Sequence, residues 1–526
     1  MYIPSRIHLD FETFAQTRNV LVEAHGRIID GVDLVRDGVF NYSRHPLTGC
    51  YLFGTKLDSL PTFVVQLWKR ISTPIGYHWQ LKTLEELLAQ YPLLISFLAG
   101  IAAGVPVVAH NSAFERLINN NVLRRYYGGW PELKLSQQVC TLARANAMSL
   151  PAGLENLANV LGLQNRKSDS TLMKLLAMSA PNVSAAVTPE ALEELGAYCA
   201  QDVETEAEID RKLYPLSPLQ QELWILDQEI NGRGIPVDVV AIRRALKVVD
   251  AARELANARL AELTGGAVKT AQQNAALAAW LQDQGHPGIA SVAAFTLKSY
   301  GEDMGWTPAD KAGTEEGVAA RELIEEVLEL REVAAKSSVA KLQAVLDQLR
   351  LTDDARVRHQ YTVFGAGTGR WTGRGFQPQN MQRFDSEGEQ ENADKLFAIL
   401  NDDVFWGSAE TPGEFLQAAG IAARRIQEET GQNAIKLIGK CMRIFVKAPE
   451  IDVLAACVRG EDDIGAVLPG YGDGDNHLTV FDFGRKPVTA DDKLAPGMTD
   501  AVAEMLAHLA VQKMIAQPFS SLQQAK

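Results

Sequence analysis

The hexapeptide HLDFET, His8 to Thr13, constrains this chain more than any other stretch, because two later motifs make sense only as its partners. Ile7 and Leu9 set an apolar strand rhythm, so Asp10 and Glu12, two apart, project from one face. Paired hard oxygen donors suit Mg²⁺ or Mn²⁺. Further on, VVAHNSAFE runs an apolar strand (Val107, Val108) out into Asn111 and Glu115, four apart and on one face where a helix begins there. AYCAQDVE then sets Tyr198 and Asp202 on one helix face at the same spacing. Taken singly, an Asp-x-Glu is most often a solvated strand edge, Asn111 a helix cap and Tyr198 core. In this order, each starting or ending a predictable element, they predict four carboxylates and a tyrosine around one ion site.

These three motifs resemble the exonuclease motifs of the DEDD superfamily in its tyrosine-bearing branch, as found in the proofreading domain of family A DNA polymerases, phage enzymes in particular. The resemblance implies an α/β, RNase H-like 3′-5′ exonuclease domain over residues 1–212 that removes mononucleotides from DNA 3′ ends, with Asn111 among the DNA contacts. It implies that Asp10, Glu12 and Asp202 hold one Mg²⁺ or Mn²⁺ ion and that Asp10 bridges to a second. Glu115 then supports that second ion, directly or through water, and Tyr198 orients the attacking water. Two ions roughly 3.5–4 Å apart activate the water and stabilise the leaving oxygen of an in-line displacement. Many bacterial relatives carry Asp at the position of Glu115, while phage relatives often share the Glu. His110, beside the site, reads as a packed or solvated side chain.

The rest of the first 212 residues alternates strands and helices. A strand is expected at Gly49–Asp58, a helix at Thr83–Ala99, and two short helices within Val139–Leu163, where Leu154, Leu157 and Leu161 share a face. The stretch Asn165–Leu176 also looks like phage proofreading domains. The apolar run Pro92–Ala109 is broken by Gly100, Gly104 and Pro106 and reads as a helix end followed by a strand, not a membrane span.

A mostly helical region is expected over 213–360. Ser217 caps a helix with Pro218 at its first position, a stripe of Leu219, Leu223, Leu226 and Ile230, and a stop at Gly232 and Gly234. This segment, with Asp227, Asn231, Arg233, Gly234 and Asp238, is similar to the one that opens the thumb of phage family A polymerases. Two long helices, Val239–Leu263 and Val318–Leu349, are expected as an antiparallel pair. Between them lie a short helix ending near Trp280 and a loop rich in Gly and Pro. Lys336, Ser337, Ser338 and Lys341 on the returning helix can meet phosphates without reading sequence.

Tyr361–Arg383 holds five glycines and three arginines and reads as a loop that wraps an anion. It resembles the family A segment that grips the primer-template duplex, which implies DNA contacts from Arg370, Arg374, Asn380 and Gln382. Residues 361–450 thus read as a DNA-gripping segment and, at Ala434–Glu450, the lead-in to a polymerase palm. There the resemblance stops: IDVLAACVRGEDD follows, with no Asp-Tyr-Ser-type motif, no fingers helix and no His-Asp-Glu turn. The 76 residues after Glu450 are too few for palm and fingers, which need on the order of 200 residues or more. A truncated frame, a frameshift or a second chain carrying the palm are the alternatives. In the divergent acidic tail, 451–526, Asp473 and Asp475 make an acidic turn rather than a calcium loop, and Thr499–Ala516 reads as one amphipathic helix.

Charge has to be taken by region. The whole chain carries a net charge of −14. Residues 331–383 hold nine Lys and Arg against four acids, a local +5, and 451–526 hold eleven acids against six bases, a local −5. The basic stretch suits a phosphate backbone. Five scattered cysteines without a CxxC pair point away from zinc sites and disulfide frameworks. With no signal peptide expected at MYIPSR, the expected compartment is the cytoplasm, that of the host cell for a phage-encoded chain. The reading is therefore a Mg²⁺-dependent exonuclease of a family A DNA polymerase, binding primer-template and single-stranded 3′ ends. A non-catalytic DNA-binding subunit and an RNA-trimming exonuclease are the alternatives.

Overall fold

The computed structural model describes residues 2–447 apart from 23–26, 75, 164–169, 309–310, 337–338, 353 and 410. Ser337, Ser338, Asp473, Asp475, the helix expected at Thr499–Ala516 and, of the stretch Asn165–Leu176, residues Asn165–Asp169 therefore lie outside the described residues.

A mixed five-stranded sheet organises the first part of the chain. Its strands are β1 (Ile7–Ala15), β2 (Thr48–Leu57), β3 (Phe63–Gln66), β4 (Val107–Ala109) and β5 (Gln138–Cys140), in the order β3-β2-β1-β4-β5. β2 runs antiparallel to both β1 and β3, whereas β4 and β5 run parallel to β1. The alternation in IHLDFETFA explains why β1 is central. Ile7, Leu9 and Phe11 enter a core with Phe53, Phe97 and Trp130. His8, Asp10 and Glu12 occupy the other face, covered by a 24-residue helix, Pro189–Lys212.

The run expected as one helix from Thr83 to Ala99 is two. Leu84–Gln90 starts from a capping box between Thr83 and Glu86, and Leu94–Ala102 continues at 118° to it. Pro92, between them, lacks an amide donor and excludes the α conformation just before it. No single helix among the described residues is long and apolar enough to cross a membrane.

The helical region begins with Pro218–Arg233, capped by the Ser217–Gln220 box and ended by Gly234 at φ 75°, where glycine carries no Cβ penalty. Its buried face differs from the leucine stripe: Leu219 is 52% exposed, while Asp227, Gln228 and Asn231 are buried beside Leu223 and Trp224. Polar partners in a distant hairpin, described below, override the apolar pattern. Val239–Leu263 forms as expected, but its partner is divided into Glu315–Ala334 and Ala340–Leu349. Lys336 thus follows a helix end instead of lying on a helix, while Lys341 lies in the second segment. Arg253 bonds the Ala334 carbonyl and Arg259 the Glu326 carboxylate, so Val239–Leu263 and Glu315–Ala334 run antiparallel. Ala294–Met304, in the expected loop, is a helix; Tyr300 within it meets His286 edge to face and lies tilted against Trp306, contacts no local periodicity reveals. One core joins Val237, Ile242 and Val249 to Leu342, Leu396, Ile426 and Phe445 and so crosses the boundary expected near 360.

Candidate active site

The site is built where β1 and β4 leave the sheet in parallel. Their pairing covers Ile7 with Val107 and His8 with Val108; beyond it the strands go on to Asp10 and to His110 and Asn111. Crevices beyond the carboxyl ends of parallel strands are the usual binding places in such sheets. A bulge between Glu12 and Thr13 interrupts the pairing with β2 at the same level; a bulge re-aims the side chains beside it.

Three elements deliver the remaining groups. Asn111 takes a left-handed conformation at φ 72° and precedes helix Ser112–Ile118 without a capping bond from its side chain, so the expected cap is one of position only. That turn places Glu115 one turn in, 4% exposed, with Oε2 buried and without a hydrogen-bond partner. Tyr198 and Asp202 project one turn apart from Pro189–Lys212, each 7% exposed. Asp10, Glu12, Asn111, Glu115, Tyr198 and Asp202 all line one cavity of about 360 Å³, with Phe114 and Met173 among its apolar walls. His110 also lines it, but its ring bonds the Thr141 hydroxyl at 3.1 Å and the Ala152 carbonyl at 2.8 Å, a structural role.

Crowding of carboxylates sets the electrostatics. Burial, and then the charge of Asp10, push the Glu115 carboxyl well above its ordinary range. Burial, followed by Asp202, Glu12 and Asp10, keeps the Tyr198 hydroxyl protonated far above its usual value. Beneath the cavity the same strand and helix are held by polar and ionic contacts. His8 meets Glu206 at 3.0 Å, and Asp210 receives Arg6 at 2.6 Å and Arg144 at 2.7 Å. Burial opposes ionisation of Asp210, yet the hydrogen bond and charge of Arg6 bring its carboxyl below the ordinary range.

The expected DNA contacts gather elsewhere. Arg370, Arg374, Asn380 and Gln382 are all exposed on a segment made of a short hairpin, Tyr361–Thr362 with Thr372–Gly373, and a turn at Pro378–Asn380. Lys341 reaches this segment through a 3.2 Å bond to Gln377; the Lys336 backbone bonds the Val333 carbonyl and Arg253, away from this segment. The loop also carries an apolar underside: Val363, Phe364, Phe376 and Met381 are buried. Asn231 holds it by pairing both ways with the Tyr361 backbone, and buried Gln360 accepts from the Phe376 amide at 2.8 Å. A second cavity, of about 410 Å³, separates the two regions and includes Arg374, Asp227 and Gln360; Leu34, Asn111 and Phe114 belong to its walls and to those of the carboxylate cavity.

Sequence reading missed Cys199, whose thiol lies 3.4 Å from Asp10 Oδ2, and Gly54, opposite Asp10 in β2. Cysteine composition says nothing of this, and only the packing of helix on strand reveals it.

No protein-family model matches the chain. A curated DNA polymerase of Bacillus phage SP02 is 29% identical over 364 residues, which are 66% of this chain and 49% of that protein. The chain is distantly related to a phage DNA polymerase. It spans about half the length of that curated relative. A solved structure of the POL domain of Pol1 from M. smegmatis, in complex with DNA primer-template and dNTP, aligns with 96% of this chain and 82% of its own. Its sequence identity is 13% and its TM-score 0.37, too loose a superposition to relate the two folds.

Proposed function

We propose that the chain is a divalent-metal-dependent 3′-5′ exonuclease acting on DNA, with its catalytic residues in 1–212 and DNA-gripping residues in the helical region. We read it as the proofreading part of a family A DNA polymerase relative. One observation carries this: three separate stretches bring Asp10, Glu12, Glu115, Tyr198 and Asp202 to the wall of a single cavity. Relationship to a phage DNA polymerase supports DNA as the substrate. A sheet of order β3-β2-β1-β4-β5 with only β2 reversed supports an RNase H-like domain.

The donor set fits Mg²⁺ or Mn²⁺. Five carboxylates line one space, of which Asp33 is engaged in a helix cap, and the Glu115 Oε2 is buried without a partner; hard oxygens of this kind suit such ions. Asp10, Glu12, Asp202 and Glu115 would hold them, and the ions when bound supply charge neutralisation at the scissile phosphate and a more acidic water. The chain's own residues position the rest. Tyr198 stays protonated and orients the attacking water through its hydroxyl. Phe114 and Met173 offer apolar surface to the terminal base. Arg370, Arg374 and Lys341 hold phosphates and carry no sequence information. Hydrolysis, and not nucleotide addition, is the activity ascribed to these residues; the comparisons lend no support to a second chain carrying a palm.

The test is digestion of a 3′-labelled primer-template and of the labelled single strand with Mg²⁺, repeated with Asp10→Ala and with all four dNTPs. Trimming that needs Asp10, without extension, is the expected result. Extension overturns the restriction to hydrolysis, and the absence of both activities moves the reading to a DNA-binding subunit.

A further inference from the structure

We propose that Cys199 is a positioning residue of the candidate active site: its thiol donates to the Asp10 carboxylate and holds it in the orientation in which it meets the ions. The inference rests on the exonuclease reading above and adds to it a residue outside the acidic motifs.

Three observations converge. Cys199 is fully buried, with Sγ 3.4 Å from Asp10 Oδ2 and 3.5 Å from the Asp10 carbonyl oxygen. One ligand-type atom each from Asp10, Glu12 and Cys199 lie within 4.8 Å of one another. The helix phase requires this neighbourhood: Cys199, Asp202, Glu206 and Asp210 recur at helical spacing toward the strand face that carries His8, Asp10 and Glu12. The rotation that brings Asp202 to the cavity therefore brings Cys199 to Asp10.

The strand on the other side makes room for it. Asp10 is opposite Gly54 in the β1–β2 pairing. A Cβ at Gly54 would meet the Cys199 Sγ and the Val203 Cγ2 at 3.0 Å each and the Cys199 carbonyl at 3.3 Å. The missing side chain is what lets Pro189–Lys212 settle until the thiol reaches Asp10. Asp10 lines the cavity together with Glu12 and Asp202, so its orientation bears directly on the ions these carboxylates would hold. Groups that orient a ligating carboxylate typically change metal affinity when removed. A thiol suits the place because it is small and apolar enough for complete burial and still offers a weak donor.

The test uses the full chain. Mn²⁺ binding is followed by electron paramagnetic resonance without DNA, and trimming of a labelled single strand is followed against Mg²⁺ concentration. Cys199→Ala should weaken Mn²⁺ binding by about 3- to 10-fold, at or below the low end of the range for such outer groups because a thiol is a weak donor. The Mg²⁺ needed for half-maximal trimming should rise in parallel, with the rate at saturating Mg²⁺ within about twofold of wild type. Cys199→Ser, which keeps a donor, should recover most of the loss. Gly54→Ala, checked for folding by circular dichroism, should reproduce the Cys199→Ala defect with the thiol still present but displaced. Unchanged Mn²⁺ binding in Cys199→Ala, while Asp10→Ala still abolishes binding and trimming, overturns this inference and leaves the exonuclease reading standing. Unchanged binding and trimming in Asp10→Ala overturns the reading itself. A thiolate-to-metal absorption band in the Co²⁺-loaded protein, absent from Cys199→Ser, overturns the positioning role by making Cys199 an ion ligand.

Discussion

The two regions proposed to touch DNA hold their polar residues in opposite ways. In the α/β part, Glu12, Glu115, Tyr198 and Asp202 are each at most 8% exposed, and strand and helix are locked beneath them by the His8, Arg6, Arg144, Glu206 and Asp210 network. In the other part, Arg370, Arg374, Asn380 and Gln382 stand in solvent on a segment of hairpin and turn secured from behind by Asn231 and Gln360. Bond cleavage needs groups fixed in advance in a water-poor space. Holding a phosphate backbone needs only positive charge with reach, and gains little from rigid burial. The two regions also meet: Asp37 takes Arg350 at 2.9 Å, Asn41 donates to the Gln348 carbonyl, and Arg358 lies over the Phe40 ring at 4.2 Å.

The sharpest way to break the contrast is Asp10→Ala or Asp202→Asn. Trimming should fall by at least about 10²-fold, since even outer groups at a metal site reach that range, with duplex affinity measured in EDTA unchanged. A variant that loses DNA binding as well as trimming shows that the two regions do not divide the work. Tyr198→Phe should reduce the single-turnover rate by about 10- to 10²-fold, the scale of a lost proton-handling or water-orienting group, with the substrate concentration for half-maximal rate unchanged.

Arg374→Ala acts on the other side. It should weaken duplex binding and lower the salt dependence of log K by about one charge, while trimming of a short single strand at saturating concentration stays near wild type. A fall confined to trimming would instead assign Arg374, which also lines the cavity between the regions, to the nuclease site.

Titration separates the regions through Glu115. Its carboxyl is raised in the folded chain by burial and by Asp10, so the folded state binds more protons than the unfolded one above the ordinary Glu range, and stability falls as pH rises. In EDTA, thermal melts should drop from about pH 5 upward. Glu115→Gln should flatten that slope and raise the melting temperature by a few degrees at pH 8; a slope equal to wild type would show that Glu115 is ordinary in the folded chain. The smallest effect is expected from Arg350→Ala. Arg36 still pairs with Asp37, so the loss should be about 1 kcal/mol in urea unfolding, and a larger loss would mean that the regions depend on this tie to fold.

Much of the site was legible because its chemistry coincides with local periodicity. Asp10 and Glu12 alternate with Leu9 and Phe11, and Tyr198 and Asp202 are one helical turn apart, so the side chains that share a face follow from chain geometry alone. The cap at Ser217, the stop at Gly234 and the limits of Val239–Leu263 are local for the same reason. Elements decided by partners outside themselves were not legible: the Ala294–Met304 helix, whose Tyr300 packs against His286 and Trp306, and the polar buried face of Pro218–Arg233, which serves the Tyr361 hairpin.

What the sequence determined by itself, then, is which acidic groups share each face and where the capped helices begin, because both depend on neighbours within a few residues. Only the tertiary structure decided that these faces meet in one cavity. It alone brought Cys199 over Gly54 onto Asp10, and it bound the basic hairpin to a helix through Asn231. Those contacts join residues far apart in the chain, and they depend on how closely backbone and side chains pack, which no periodicity encodes.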